Sequence, residues 1–291
     1  MFSGCTNLLY MPELPATSLA HHCYSYMFDD CKNLINVTAL PATTLVQSCY
    51  MSMFRGCEKI KTMQDLPATS LAVSCYESMF EGCKNIVESI QTLPATTLNE
   101  SCYKAMFKNC SSLLNAPTLP ATSPRSSCYE SMFEGCVSLN MYSTEYTIPI
   151  TSYDETTACC KAMFKGTGIT DGYYIKLPAT ILFNKCYESM FEDCMQMNYG
   201  PNLSAVTALG TECCKSMFKG CVNLYTTPSL NATTLVQSCY ESMFEGCINL
   251  INMPNLPATS LAQSCYASMF KGCKGITSIT SNAFPATTLA Q

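Results

Sequence analysis

The chain has 291 residues, of which 13% are charged, and a formal net charge of -5. Without a basic field there is nothing to gather nucleic acid and no polybasic patch for an anionic membrane. No run approaches the roughly 18 consecutive apolar residues of a membrane span, and the N-terminus lacks a charged-then-apolar signal segment.

From Met1 onward the dipeptide Met-Phe recurs at Met27, Met53, Met79, Met106, Met132, Met163, Met190, Met217, Met243 and Met269, in steps of 26, 26, 26, 27, 26, 31, 27, 27, 26 and 26. A fixed period of this size marks an array of one small unit stacked on copies of itself, so residues 1–291 are expected to form a single solenoid domain. Met1 and Gln291 both fall inside a repeat, and neither end carries a polar capping unit. The array is therefore expected to be an excerpt of a longer one, with ends open to self-association.

Each repeat reads in two halves. Leu8, Met11 and Leu14, then Leu34, Val37 and Leu40, and near the other end Leu250, Met253 and Leu256, lead into a proline such as Pro257. This predicts a short strand whose ladder the proline closes. After it, Thr259 and Ser260 can cap a helix and Gly272 can end it. At about 100° per residue, Leu261, Cys265, Tyr266, Met269, Phe270 and Cys273 fall on one half of that helix. The clearest copy, Cys239 to Cys247, predicts Cys239, Tyr240, Met243, Phe244, Cys247, Leu250, Leu256 and Pro257 as the structural residues of a repeat.

The other face carries charges that alternate in sign: Asp29, Arg55, Glu81, Lys108, Glu134, Lys165, Glu192, Lys219, Glu245 and Lys271. Four residues earlier the series Glu77, Lys104, Glu130, Lys161, Glu188, Lys215 and Glu241 agrees. Each of these seven central repeats thus holds like charges at i,i+4, which cost a few tenths of a kcal/mol unless neighbouring repeats supply the opposite sign. Cross-repeat ion pairs are the expected remedy.

Twenty-two cysteines call for a disulfide or metal reading. Cysteines eight apart on a helix stand about 12 Å apart, and neighbouring helices about 8–10 Å, both beyond disulfide reach. The histidines, His21 and His22, are adjacent at a variable position and no CxxC occurs. Two ladders of small buried thiols are expected, with no metal and no cofactor.

The middle of the array, 139–214, is irregular. Its surplus residues gather Tyr142, Tyr146, Tyr153, Tyr173, Tyr174 and Tyr199 beside Asp154, Glu155 and Asp171. Rings with acidic neighbours suit a sugar or a protein partner, which makes these nine the candidate ligand-binding residues; drift of loop sequence is the plainer reading. Cys160 and Cys214 replace the usual tyrosine and are expected to fill tyrosine sites. The recurrent LPAT lacks the glycine that a sortase signal needs and reads as a turn. Asn36-Val37-Thr38 and Asn231-Ala232-Thr233 fit the glycosylation pattern.

The phrase Met243-Phe244-Glu245-Gly246-Cys247-Ile248-Asn249-Leu250 resembles the AFxGCxxL core of BspA-like leucine-rich repeats, over essentially the whole chain, with Met for the family's usual Ala and an added LPAT. The resemblance implies an α/β solenoid, right-handed and curved, of about eleven 26-residue strand-turn-helix repeats, with a parallel sheet on one face and short helices on the other. It also implies an extracellular place, on a cell surface or on a virion as part of a phage tail fibre, and adhesion to a host protein or glycan. It brings no shared catalytic residues. The expected function is a non-enzymatic adhesion module; the alternative is a spacer or filament without a ligand of its own.

Overall fold

The computed structural model describes residues 1–141, 145–151, 157–279 and 284–289. Regular secondary structure is sparse: β1 (Tyr146–Thr147), a 3-10 turn (Gly172–Tyr174), β2 (Ile175–Lys176), β3 (Ser260–Leu261) and β4 (Thr288–Leu289), in that order. β1 pairs in parallel with β2, Tyr146 opposite Ile175, and β3 with β4, Ser260 opposite Thr288. The expected α/β solenoid of strand-turn-helix repeats is overturned. Among the described residues there is no α-helix and no sheet wider than two strands.

The reason lies in where the backbone N–H groups go. In the segment expected to be helical, Cys239, Glu241, Met243, Glu245 and Cys247 donate three residues back, to Val236, Ser238, Tyr240, Ser242 and Phe244. The residues between them donate to the next repeat: Ser238 to Gln263, Tyr240 to Cys265, Ser242 to Ala267, Phe244 to Met269 and Gly246 to Lys271, at 2.8–3.0 Å. The result is a coil of overlapping turns bonded to its neighbour at every second residue. An α-helix would direct all of these donors along its own axis and leave none for stacking.

This coil needs a left-handed residue at every fourth position, and Ser238, Ser242 and Gly246 sit at φ 53°, 53° and 78°. The column of Gly246 reads Gly4, Asp30, Gly56, Gly82, Asn109, Gly135, Gly166, Asp193, Gly220, Gly246 and Gly272, all at positive φ. Only residue types that tolerate this conformation occupy it. At the serine positions the strain is about 1–2 kcal/mol per residue. The cross-repeat bonds, at about 0.5–1.5 kcal/mol each, are of the size needed to offset it. Ser216, at φ 55° and half-buried, donates its N–H to the Glu241 carbonyl at 2.8 Å. Ser216→Gly is expected to raise stability by about 0.5–1 kcal/mol, where the same change inside an α-helix lowers it by a similar amount. The urea midpoint reads the sign, and a loss would contradict the turn coil.

The linking half forms isolated parallel bridges, among them Thr44 with Ser70, Ser70 with Thr97 and Tyr199 with Thr226. Prolines such as Pro12, Pro15, Pro254 and Pro257 carry no N–H and interrupt the ladder that a continuous sheet needs.

Inside, the Phe rings of consecutive repeats stack from Phe2 to Phe270, with centroids 5.5–5.9 Å apart and planes within 2–12°. Tyr24, Tyr50, Tyr76, Tyr103 and Tyr129 stack likewise, as do Tyr240 and Tyr266. Cys160 and Cys214 are buried within the same core. Cys239, Tyr240, Met243, Phe244, Cys247, Leu250 and Leu256 are buried too, and Pro257 is half-buried.

The cysteines are free, and the picture of two thiol ladders needs correction. Thiols of the second series bond backbone: Cys57 donates to the Phe28 carbonyl, Cys136 to Phe107 and Cys194 to Phe164, each at 3.0 Å, in the preceding repeat. The reason is that each Phe carbonyl, already accepting one N–H from its own turn, offers a second lone pair to the repeat above.

On the outside, the alternating charges pair between repeats. Arg55 meets Asp29 at 2.8 Å, Lys104 meets Glu130 at 3.0 Å, and Lys108 meets Glu134 at 2.9 Å. Lys161 meets Glu188 and Lys165 meets Glu192, both at 3.0 Å, and Glu245 lies between Lys219 and Lys271 at 3.5 and 2.9 Å. Such part-exposed pairs contribute about 0–1 kcal/mol each, so they set register more than they set stability.

Candidate functional site

Grooves open between neighbouring repeats on the linking half: about 510 Å³ between Lys61 and Gln91, about 460 Å³ between Leu114 and Tyr146, and about 730 Å³ between Asn198 and Gly275. The largest begins beside the irregular centre. There the Asp171 carboxylate accepts the Tyr173 N–H at 2.8 Å and caps the 3-10 turn. The Gly172 N–H donates to the Tyr199 carbonyl at 2.7 Å, and a side chain at 172 would meet that oxygen at 2.8 Å. Glycine is what lets the two repeats approach here. Asp171 in turn bridges to Tyr199, and Tyr199 to Thr226.

This brings Tyr173 and Tyr199 onto successive repeats, with Tyr225 one repeat further on, all three exposed. The backbone beneath is tied across repeats, Tyr225 N–H to Asn198 O at 2.9 Å and Ile251 N–H to Tyr225 O at 3.2 Å. Tyr174 packs edge-on against Tyr173, centroids 6.0 Å apart, while the Lys176 ammonium sits 4.6 Å over the Tyr173 ring and 3.3 Å from its carbonyl oxygen. The walls of the largest groove add the amides of Asn198, Asn223 and Asn249, and the Asn249 amide lies 3.4 Å from that of Asn223. Exposed Ile248 and Ile251 close it.

Of the nine residues singled out in the sequence, Asp171, Tyr173, Tyr174 and Tyr199 are thus neighbours. Tyr146 sits beside them in backbone, opposite Ile175, but its side chain is engaged elsewhere: it packs edge-on against Phe164 and donates its hydroxyl to the Pro117 carbonyl at 3.0 Å. Burial, with the Cys160 thiol close by, pushes its ionisation up. Tyr142, Tyr153, Asp154 and Glu155 fall outside the described residues. Tyr225, Asn223 and Asn249 were not singled out because they belong to regular repeats. The signal that could have found the two asparagines is the polar residue recurring two places after the second Cys, as in Asn7, Asn33, Asn85, Asn223 and Asn249.

Among the described residues no cluster of three or more His, Cys, Asp or Glu is arranged to hold a metal ion, and no helix is long and apolar enough to cross a membrane. A family profile described as the BspA type leucine-rich repeat region, in six copies, matches residues 1–155 and 184–290. No curated protein matches. Among solved structures, a leucine-rich repeat protein from Bacteroides ovatus is 16% identical, with 90% of this chain and 78% of that one covered at a TM-score of 0.36. A leucine-rich cell surface protein from Faecalibacterium prausnitzii is 17% identical, with 94% and 73% covered at a TM-score of 0.43.

Proposed function

The chain belongs to the BspA-type leucine-rich repeat family, and from that premise we propose that it is a surface-exposed adhesion module whose binding face is the linking half of the central repeats. Family membership makes it a non-enzymatic repeat protein. The observation that carries the reading is the set of exposed rings, Tyr173, Tyr199 and Tyr225, one on each of three successive repeats, on backbone tied across repeats. A ring on a fixed backbone loses little entropy on binding, and several on successive repeats favour an extended partner with many shallow contacts. The partner is a host protein or glycan, met outside the cell, as the family resemblance implies.

The reading is tested on combined arrays of glycans and host extracellular proteins, probed with the protein and with a variant carrying Tyr173→Ser, Tyr199→Ser and Tyr225→Ser. Binding by the parent and its loss in the variant, with an unchanged circular dichroism spectrum, is expected. Equal binding by both proteins, or binding by neither, would sink the assignment.

A further inference from the structure

We infer that the groove around Tyr199 and Tyr225 takes a neutral oligosaccharide, laid along the stacking direction with successive sugars over successive repeats. The inference rests on the binding face proposed above and adds the ligand class.

Three features carry it. The first is charge. None of the described residues lining the groove is charged. Lys and Glu side chains pair with one another between turn coils, as Lys215 does with Glu241 at 3.1 Å, and Lys176 at the edge of the face lies over Tyr173. A sialylated or uronate sugar would find no cation in the groove to meet its carboxylate.

The second is the pairing of chemistry. Sugar hydroxyls both donate and accept, and so do the side-chain amides of Asn223 and Asn249, at the same place in successive repeats, and that of Asn198 in the repeat before them. The exposed rings of Tyr199 and Tyr225 offer flat apolar surface to the C–H face of a pyranose. An extended chain of pyranoses advances, per sugar, by close to one strand spacing, so successive sugars reach the polar and aromatic side chains of successive repeats. The volume, about 730 Å³, lies within the usual range for small-molecule sites.

The third is what the face withholds from a peptide. A peptide that binds by strand addition needs a free sheet edge. Here the Tyr225 and Ile251 N–H groups are already bonded to Asn198 and Tyr225, so the backbone offers no such edge at these residues.

Calorimetric titration with neutral hexaoses of glucose, mannose and xylose, beside an oligogalacturonate and a sialylated trisaccharide, tests this. At least one neutral hexaose is expected to bind, about tenfold more weakly to Tyr225→Ser and several-fold more weakly to Asn223→Ala, while Tyr225→Phe keeps most of the affinity. Thermal melting of each variant checks the fold, and Tyr225→Phe separates a lost ring from a damaged repeat. Groove-dependent binding of only the acidic sugars, or of an array protein alone, would overturn the ligand class and leave the binding face standing. Neutral binding indifferent to Tyr225 and Asn223 would overturn the site. Absence of binding to every sugar and array protein would overturn both.

Discussion

Raising the pH from about 8 to about 10.5 is expected to unfold the protein, because its interior thiols must stay protonated to remain where they are. Burial pushes the thiols of Cys49 and Cys194 up to about 11, and those of Cys102, Cys136 and Cys239 up to about 12. In the unfolded chain a thiol ionises near 8.5. The folded-state pKa is the higher one, so each thiol's contribution is complete below about 8.5 and falls as the pH rises toward the folded value. Each loses on the order of 1 kcal/mol per pH unit above its unfolded value, so these five together lose several kcal/mol for each pH unit, against a usual total stability of about 5–15 kcal/mol. The chemistry agrees with the sign. Cys136 and Cys194 donate to Phe carbonyls, and a thiolate has no proton to donate. Urea midpoints at several pH values, in the presence of a reductant, read the slope, and Cys102→Ala should remove its share. A midpoint unchanged to about pH 10.5 would contradict the buried-thiol interior.

Phe244→Ala is expected to lower stability by about 3–5 kcal/mol. Its ring is fully buried between Phe218 and Phe270, with centroids at 5.6 Å on both sides. Deletion removes two stacked contacts and leaves a cavity whose walls are held by the cross-repeat bonds of Ser242 and Gly246, so little collapse can fill it. In a stacked array the loss falls on the repeats around 244 and on their interfaces. Hydrogen exchange should show protection lost between about residues 215 and 275 and kept near Phe54, while a loss spread evenly over the chain would contradict nearest-neighbour stacking.

The sequence by itself determined the period, which residues lie inside, and the pairing of Lys with Glu between repeats. The physical reason is that identical units place like on like. A Phe at the same place in each repeat can only stack on Phe, and a charge that alternates from copy to copy can only meet its opposite. The tyrosine site is a partial case. Asp171, Tyr173, Tyr174 and Tyr199 stood out as departures from the repeat, whereas Tyr225, Asn223 and Asn249, inside regular copies, did not.

What only the tertiary structure decided is the backbone. The inward residues Cys265, Tyr266, Met269, Phe270 and Cys273 recur every four places, close enough to 3.6 for a short segment to pass as a helix. Helix reasoning counts bonds within the segment. Here half of the N–H groups bond to another repeat, some 26 residues away, as Phe244 does to Met269. That energy exists only once neighbours are stacked, and it is what holds Ser238 and Ser242 in a left-handed conformation that serine on its own avoids. The same stacking brings Tyr173, Tyr199 and Tyr225 onto successive repeats, so the proposed binding face, like the turn coil, belongs to the array and to no single repeat.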